Sequence, residues 1–355
     1  MINPFHLFFV IIFGVCIAAG SDAFSQSRVT ISPECLSDRM NVDLRISLNQ
    51  LLNWNESIAM STLRNFYPGL SQKDLAQVQI SIEDFGPQKK YRGFYSHDSD
   101  KNRGVIRLDC ERGSIMYWPA LFAHEVAHHL NENKNLSSWM DEMLAQLVEA
   151  QASPFFSYPR FDFIKSSAIV PSFFSPEKPF SSSAMYAANM LFGFYISENF
   201  RGYRLFQTLT HDVNTLNDFA QRLRDYTVDQ SQFDWIRDHL SAEDLIRFFA
   251  LALNINLPTR NGGTLYVVPG WSGFAKGALI SQKGNYFIEP GGSLRLSSDL
   301  AQQISESQNL TVYRILKNQK DFKIQKVADP VDGDWAENYV LLVNTSLTEY
   351  LEVDI

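Results

Sequence analysis

Tyr117-Trp118-Pro119-Ala120-Leu121-Phe122-Ala123-His124-Glu125-Val126-Ala127-His128 is the stretch on which the reading of this chain turns. It is apolar up to Ala123, then sets two histidines four residues apart with a glutamate directly after the first. On an α-helix, positions i and i+4 lie one above the other on a single face, so both imidazoles can reach one metal ion. Glu125 then stands beside that ion, where it can handle a water molecule. Pro119 is tolerated in a first helical turn, where an N–H has no partner to lose. The competing reading is a histidine pair on a helix surface with no ligand. Against it, the apolar run implies a partly buried helix, and burying two histidines and a glutamate without a ligand leaves polar groups unpaired.

A metal held by two imidazoles needs at least one more protein donor. After His128 the chain breaks at Asn131-Glu132-Asn133-Lys134-Asn135, and a second helix opens at Ser137-Ser138 with Asp141 in its first turn. Met140, Met143, Leu144 and Leu147 form its apolar stripe, leaving Glu142 beside the stripe near the N-terminal end. Two helices joined by so short a loop pack antiparallel, which allows Glu142 to face the histidine pair. Glu142 is the expected third ligand. Asp141 is the next choice, and both acids also suit a first turn with no metal present. His129 falls on another face and is expected to meet solvent or to support the pair from behind.

Together, His124-Glu125-x-x-His128 and Trp139-x-Asp141-Glu142-x-x-Ala145-x-x-Val148-Glu149 resemble the gluzincin metallopeptidases, within the looser peptidase MA-like group. In that family a glutamate on the second helix completes a zinc site begun by H-E-x-x-H on the first. The resemblance implies one Zn2+ ion on His124, His128 and Glu142, Glu125 as general base, and a peptide or protein substrate. Asp141 and Met143 stand where the aminopeptidase branch has Asn and Gly, and the G-x-M-E-N signature of that branch is absent upstream. An aminopeptidase specificity is therefore not implied. Residues 183–195 read as a helix of apolar and small residues closing near Gly202. They resemble the family helix whose leading tyrosine hydrogen-bonds the oxyanion, and Tyr186 is the matching residue; an aromatic packed in a helical core fits the same pattern. The family also suggests that the strand before the metal helix, residues 104–109, rims the cleft and pairs with extended substrate.

Upstream, Val78-Gln79-Ile80-Ser81-Ile82 alternates as a half-buried strand does and precedes a turn at Gly86-Pro87. Residues 91–95 and 104–108 read as two more strands around a polar turn. Beyond Gly202 come helices at residues 216–226 and 233–253. After the break Leu257-Pro258-Thr259-Arg260-Asn261-Gly262-Gly263, short strands alternate with Gly, Asn and Asp turns. They are expected at 266–268, 277–280, 285–288, 293–296, 310–315 and 339–343. The fold class expected is α+β: a zincin-like catalytic domain over residues 26–257, with a small N-terminal sheet before a mostly helical part. A small all-β, sandwich-like accessory domain follows over 264–355.

The chain has 355 residues, 45% of them hydrophobic and 20% charged, an ordinary globular composition. Its net charge of −8 and lack of a Lys/Arg cluster argue against a nucleic-acid partner. Residues 7–19 form an apolar run too short to span a bilayer comfortably but suited to the core of a signal peptide. Small residues at Ala23 and Ser25 fit removal of residues 1–25, leaving a secreted or periplasmic chain that starts at Gln26 with no stable membrane span. Cys35 and Cys110 would then be the remaining cysteines, and in an oxidising compartment such a pair is expected to form one disulfide. A reading from a different class is a secreted, non-catalytic binding protein on the same scaffold; an intact Glu125 gives it little support.

Overall fold

The computed structural model describes residues 29–36, 56–75, 77–86, 93–100, 103–110, 118–153, 161–174, 183–200, 203–208, 213–227, 240–255, 268, 271, 274–275, 278–304, 309–317, 322–326 and 336–355. The signal segment expected over 1–25, the first part of the helix expected from 233 and most of the strand expected at 266–268 lie outside them. No described helix is long and apolar enough to cross a membrane.

The alternating stretch Val78–Glu83 forms strand β2, with Val78, Ile80 and Ile82 buried on one face. β1 (Val29–Ile31) and β4 (Arg103–Asp109) lie on either side of it, both parallel to it. β3 (Gly93–Asp98) runs antiparallel beside β4, so the order is β1-β2-β4-β3. After β2 the chain turns at Gly86, whose φ of 71° suits a residue without a Cβ. Its N–H donates to Asp84 Oδ1 at 2.7 Å. The rim strand expected at residues 104–109 is therefore an interior strand, paired on both sides. Among the described residues, the free edge on that side belongs to β3. Hydrophobic alternation marks a strand but does not say which neighbours it takes, and β4 is drawn inside by its parallel pairing with β2.

Cys35, in the short 3-10 turn Pro33–Leu36 after β1, is bonded to Cys110, the residue after β4, with Cα atoms 5.9 Å apart. Trp118 Nε1 donates to the carbonyl of Asp109 at 2.9 Å, which fixes the start of the helix that carries His124 and His128 against the end of β4.

The helices are α1 (Glu56–Phe66), α2 (Trp118–Asn131), α3 (Ser138–Ala152), α4 (Ser183–Asn199), α5 (Leu216–Thr227) and α6 (Ala242–Ile255), with shorter turns between. Asn135 closes the α2–α3 connection in the left-handed region, at φ 49°, a conformation asparagine tolerates better than most residues. α3 is buried along most of its length because Trp139, Met143, Leu144 and Leu147 face neighbouring helices. Trp139 meets Phe174, Phe192 and Phe219 edge-on, and Phe192 stacks on Phe173 at 3.9 Å between ring centres. Phe249 of α6 closes on the same rings. At Gly193 an added Cβ would lie 3.0 Å from the Leu147 side chain, so α4 packs closely on α3.

The C-terminal part holds an antiparallel sheet of order β5-β7-β10-β8-β9, built from Ile169–Val170, Ser293–Leu296, Ala336–Asn344, Leu310–Lys317 and Phe322–Lys326. β6 (Asn285–Ile288) and β11 (Leu351–Asp354) pair as a separate ribbon. The strand expected at 277–280 is reduced to a single bridge between Ile280 and Leu296. Along β10, Tyr339, Leu341 and Val343 join the core shared with the helices, while Val340 and Leu342 pack with Ile288 and Val353 of the ribbon. β5 comes from the helical part of the chain. The composition break at 257–263 is thus bridged by a shared strand pairing and a shared core.

Candidate metal centre

The α2–α3 pair brings His124, His128 and Glu142 together, with one donor atom of each within 4.8 Å of the others. The contacts run in opposite order along the two helices: His124 meets Glu149 and His128 meets Asp141, so the helices are antiparallel. His124 Nε2 and His128 Nε2 are 3.1 Å apart, and Glu142 Oε1 and Oε2 lie 3.5 and 3.6 Å from them respectively. Donors around a tetrahedral zinc ion, bonded at roughly 2.0–2.2 Å, sit roughly 3.4 Å from each other. The three separations are of that order, with the two histidines facing different oxygens of the Glu142 carboxylate.

A carboxylate stands behind each histidine. His124 Nδ1 lies 2.8 Å from the carboxylate of Glu149, and His128 Nδ1 lies 2.8 Å from that of Asp141. A neutral imidazole that gives its one N–H to a carboxylate keeps a lone pair on the other nitrogen. The two Nε2 atoms then face each other within hydrogen-bond distance beside the carboxylate of Glu142. The arrangement suits a positive charge, whether a shared proton or a divalent cation. The shifts in proton affinity point the same way. Burial works against protonating His124, yet the carboxylates of Glu142, Glu149 and Glu125 outweigh it and hold the imidazole above its usual range. Burial likewise opposes protonation of His128, but its hydrogen bond to Asp141 and the nearby acids push it up to about 9.

Glu125 is buried, and burial raises its carboxyl above the usual range. It is not one of the three converging donors. Its carboxylate instead lies along β3, where a Cβ added to Gly93 would be 3.1 Å from Oε1. Asp141, the second choice as ligand, serves His128 instead; its other oxygen accepts from Asn131 Nδ2 at 2.8 Å, and Tyr67 OH donates to Asn131 Oδ1 at 2.9 Å. Tyr186 is half-buried in the first turn of α4, one turn before Asn189 and on the same side of that helix. His129 does not face open solvent. Its Nδ1 lies 3.1 Å from Tyr95 OH, which itself donates to Glu132 Oε2 at 2.6 Å, tying α2 to β3.

The supporting residues were the least visible in sequence. Glu149 had one signal, an acid two turns beyond Glu142 and so on its face, inside an otherwise apolar helix. Gln146, Asn189, Asn131 and Tyr67 carried none. Carboxylates that orient metal-binding histidines tune affinity, so on a zinc reading of this centre Glu149→Gln and Asp141→Asn are each expected to weaken binding of the ion by about 10- to 100-fold. Competition titration with a chromophoric chelator measures this, and wild-type affinity in both variants would contradict the assigned roles.

The chain matches no protein-family model, no curated protein and no solved structure.

Proposed function

We propose that this protein is a zinc-dependent peptidase of the gluzincin kind that works outside the cytosol. The observation that carries the reading is the convergence of His124 Nε2, His128 Nε2 and Glu142, with a carboxylate against each Nδ1 and the buried acid Glu125 alongside. His124, His128 and Glu142 would hold the ion. Bound there, zinc supplies Lewis acidity that polarises a carbonyl and acidifies a water.

The remaining work belongs to the chain. Glu125 takes a proton from the attacking water and returns one to the leaving amine as the C–N bond breaks. Because Glu125 lies along β3, an extended peptide hydrogen-bonded to the free edge of that strand would pass close to the base. Tyr186, by the resemblance of its helix, donates a hydrogen bond to the developing oxyanion. The Cys35–Cys110 disulfide and the apolar run at residues 7–19 support an oxidising, extracytoplasmic location.

The purified protein is expected to carry close to one zinc per chain by elemental analysis and to cleave casein or a peptide library. Chelation should abolish cleavage, and added Zn2+ should restore it. Stoichiometric zinc with no hydrolysis of any peptide would instead favour a binding protein on this scaffold.

A further inference from the structure

We infer that Gln146, held by Asn189, is the positioning residue for the third metal ligand; this rests on the metal reading of the centre given above. Gln146 is fully buried and sits one turn after Glu142 on the same face of α3. Its Nε2 lies 3.1 Å from Glu142 Oε1 and 3.4 Å from Asn189 Oδ1. Asn189, also fully buried, gives its own amide hydrogens to the carbonyls of Trp139 at 3.0 Å and Phe173 at 2.8 Å.

Those bonds settle which way both amides point. Asn189 Nδ2 faces two carbonyls, so its oxygen faces Gln146. Gln146 therefore turns its nitrogen toward two oxygens, since the flipped amide would set oxygen against oxygen on both sides. The consequence is an orphan: Gln146 Oε1 is buried and has no hydrogen-bond partner among the described residues. A buried acceptor without a partner weakens a fold, and an apolar side chain of the same size would avoid the loss. The same replacement would leave Asn189 Oδ1, whose donor is Gln146 Nε2, without that bond, so for packing alone the exchange is close to even. Glu142 tips it. Gln146 holds one oxygen of Glu142 in place, and Asn189 ties that hold to α4 and to the start of α3. Glu142 is thereby presented to the ion in one orientation rather than sampling several.

A purely structural glutamine and a ligand-positioning one respond differently to Gln146→Met, with Gln146→Leu as a second apolar replacement. In the full chain, freed of metal by chelation, both variants are expected to unfold close to the wild-type urea concentration, since they remove one buried orphan at Gln146 Oε1 and create another at Asn189 Oδ1. Their affinity for Zn2+ should fall by about 10-fold, and the visible spectrum of bound Co2+ should change as the ligand geometry loosens. In a Glu142→Gln background the same replacements should cause no further loss, because the group they act through is gone. Unchanged Zn2+ affinity and Co2+ spectrum in both variants would overturn the inference and leave the metal reading standing. So would an equal loss with and without Glu142, or an affinity loss matched by apo-protein destabilisation. A wild-type chain that binds neither Zn2+ nor Co2+ would remove the metal reading, and this inference with it.

Discussion

Glu125→Gln, on the zinc-peptidase reading proposed above, is expected to retain zinc and lose about 10²- to 10⁴-fold in peptide hydrolysis, the span that a positioned general base contributes. The glutamine amide has the size and shape of the carboxylate it replaces, so the packing of α2 against β3 should survive. Glu125 stands outside the three converging donors, so metal content should survive too. What disappears is the ability to accept a proton. The separation of binding from turnover is the informative part. Zinc stoichiometry by elemental analysis and steady-state cleavage of one peptide, measured on the same preparation, give both halves of the answer. A zinc-loaded variant that cleaves at the wild-type rate would show that Glu125 is not the base and that the proposed chemistry is wrong.

Removal of the disulfide is expected to have the largest effect on stability. Cys35 and Cys110 are separated by 75 residues, and both are buried. Closing a loop of that length restricts the unfolded chain by an amount worth about 4 kcal/mol in the chain-entropy model. The bond also joins the turn after β1 to the end of β4, two strands that lie on opposite sides of β2. The Cys35→Ser/Cys110→Ser variant should therefore unfold at distinctly lower urea than wild type, with wild type plus reductant following it. Coincident unfolding curves for oxidised and reduced wild type would show that the cross-link contributes nothing to the fold.

The histidine pair was legible because it depends only on helical periodicity, a local property. Glu142 was nearly as accessible, since a short polar connection between two apolar helices leaves few ways to pack them. The limits of such reasoning lie close by. Asp141 and Glu142 are adjacent, and both are acids in a first turn. Which of them faces the two Nε2 atoms follows from the rotation of α3 about its axis, set by Trp139 in its aromatic surroundings. Strand alternation identified residues 104–108 correctly as a strand but carried no information on its partners, so the sheet edge was expected one strand too far inside.

By itself, then, the sequence determined the elements and the donor set: an α2 helix with two imidazoles on one face, an acid beside them, and a following helix with another acid in reach. Each depends on spacing within a few residues, where backbone geometry leaves little choice. Only the tertiary structure decided what stands behind those donors. Glu149 behind His124, Asp141 with Asn131 and Tyr67 behind His128, and Gln146 with Asn189 behind Glu142 include pairs separated by as many as 64 residues. Such pairs form because burial obliges each polar group to find whichever partner the packing delivers, and packing is a property of the whole chain.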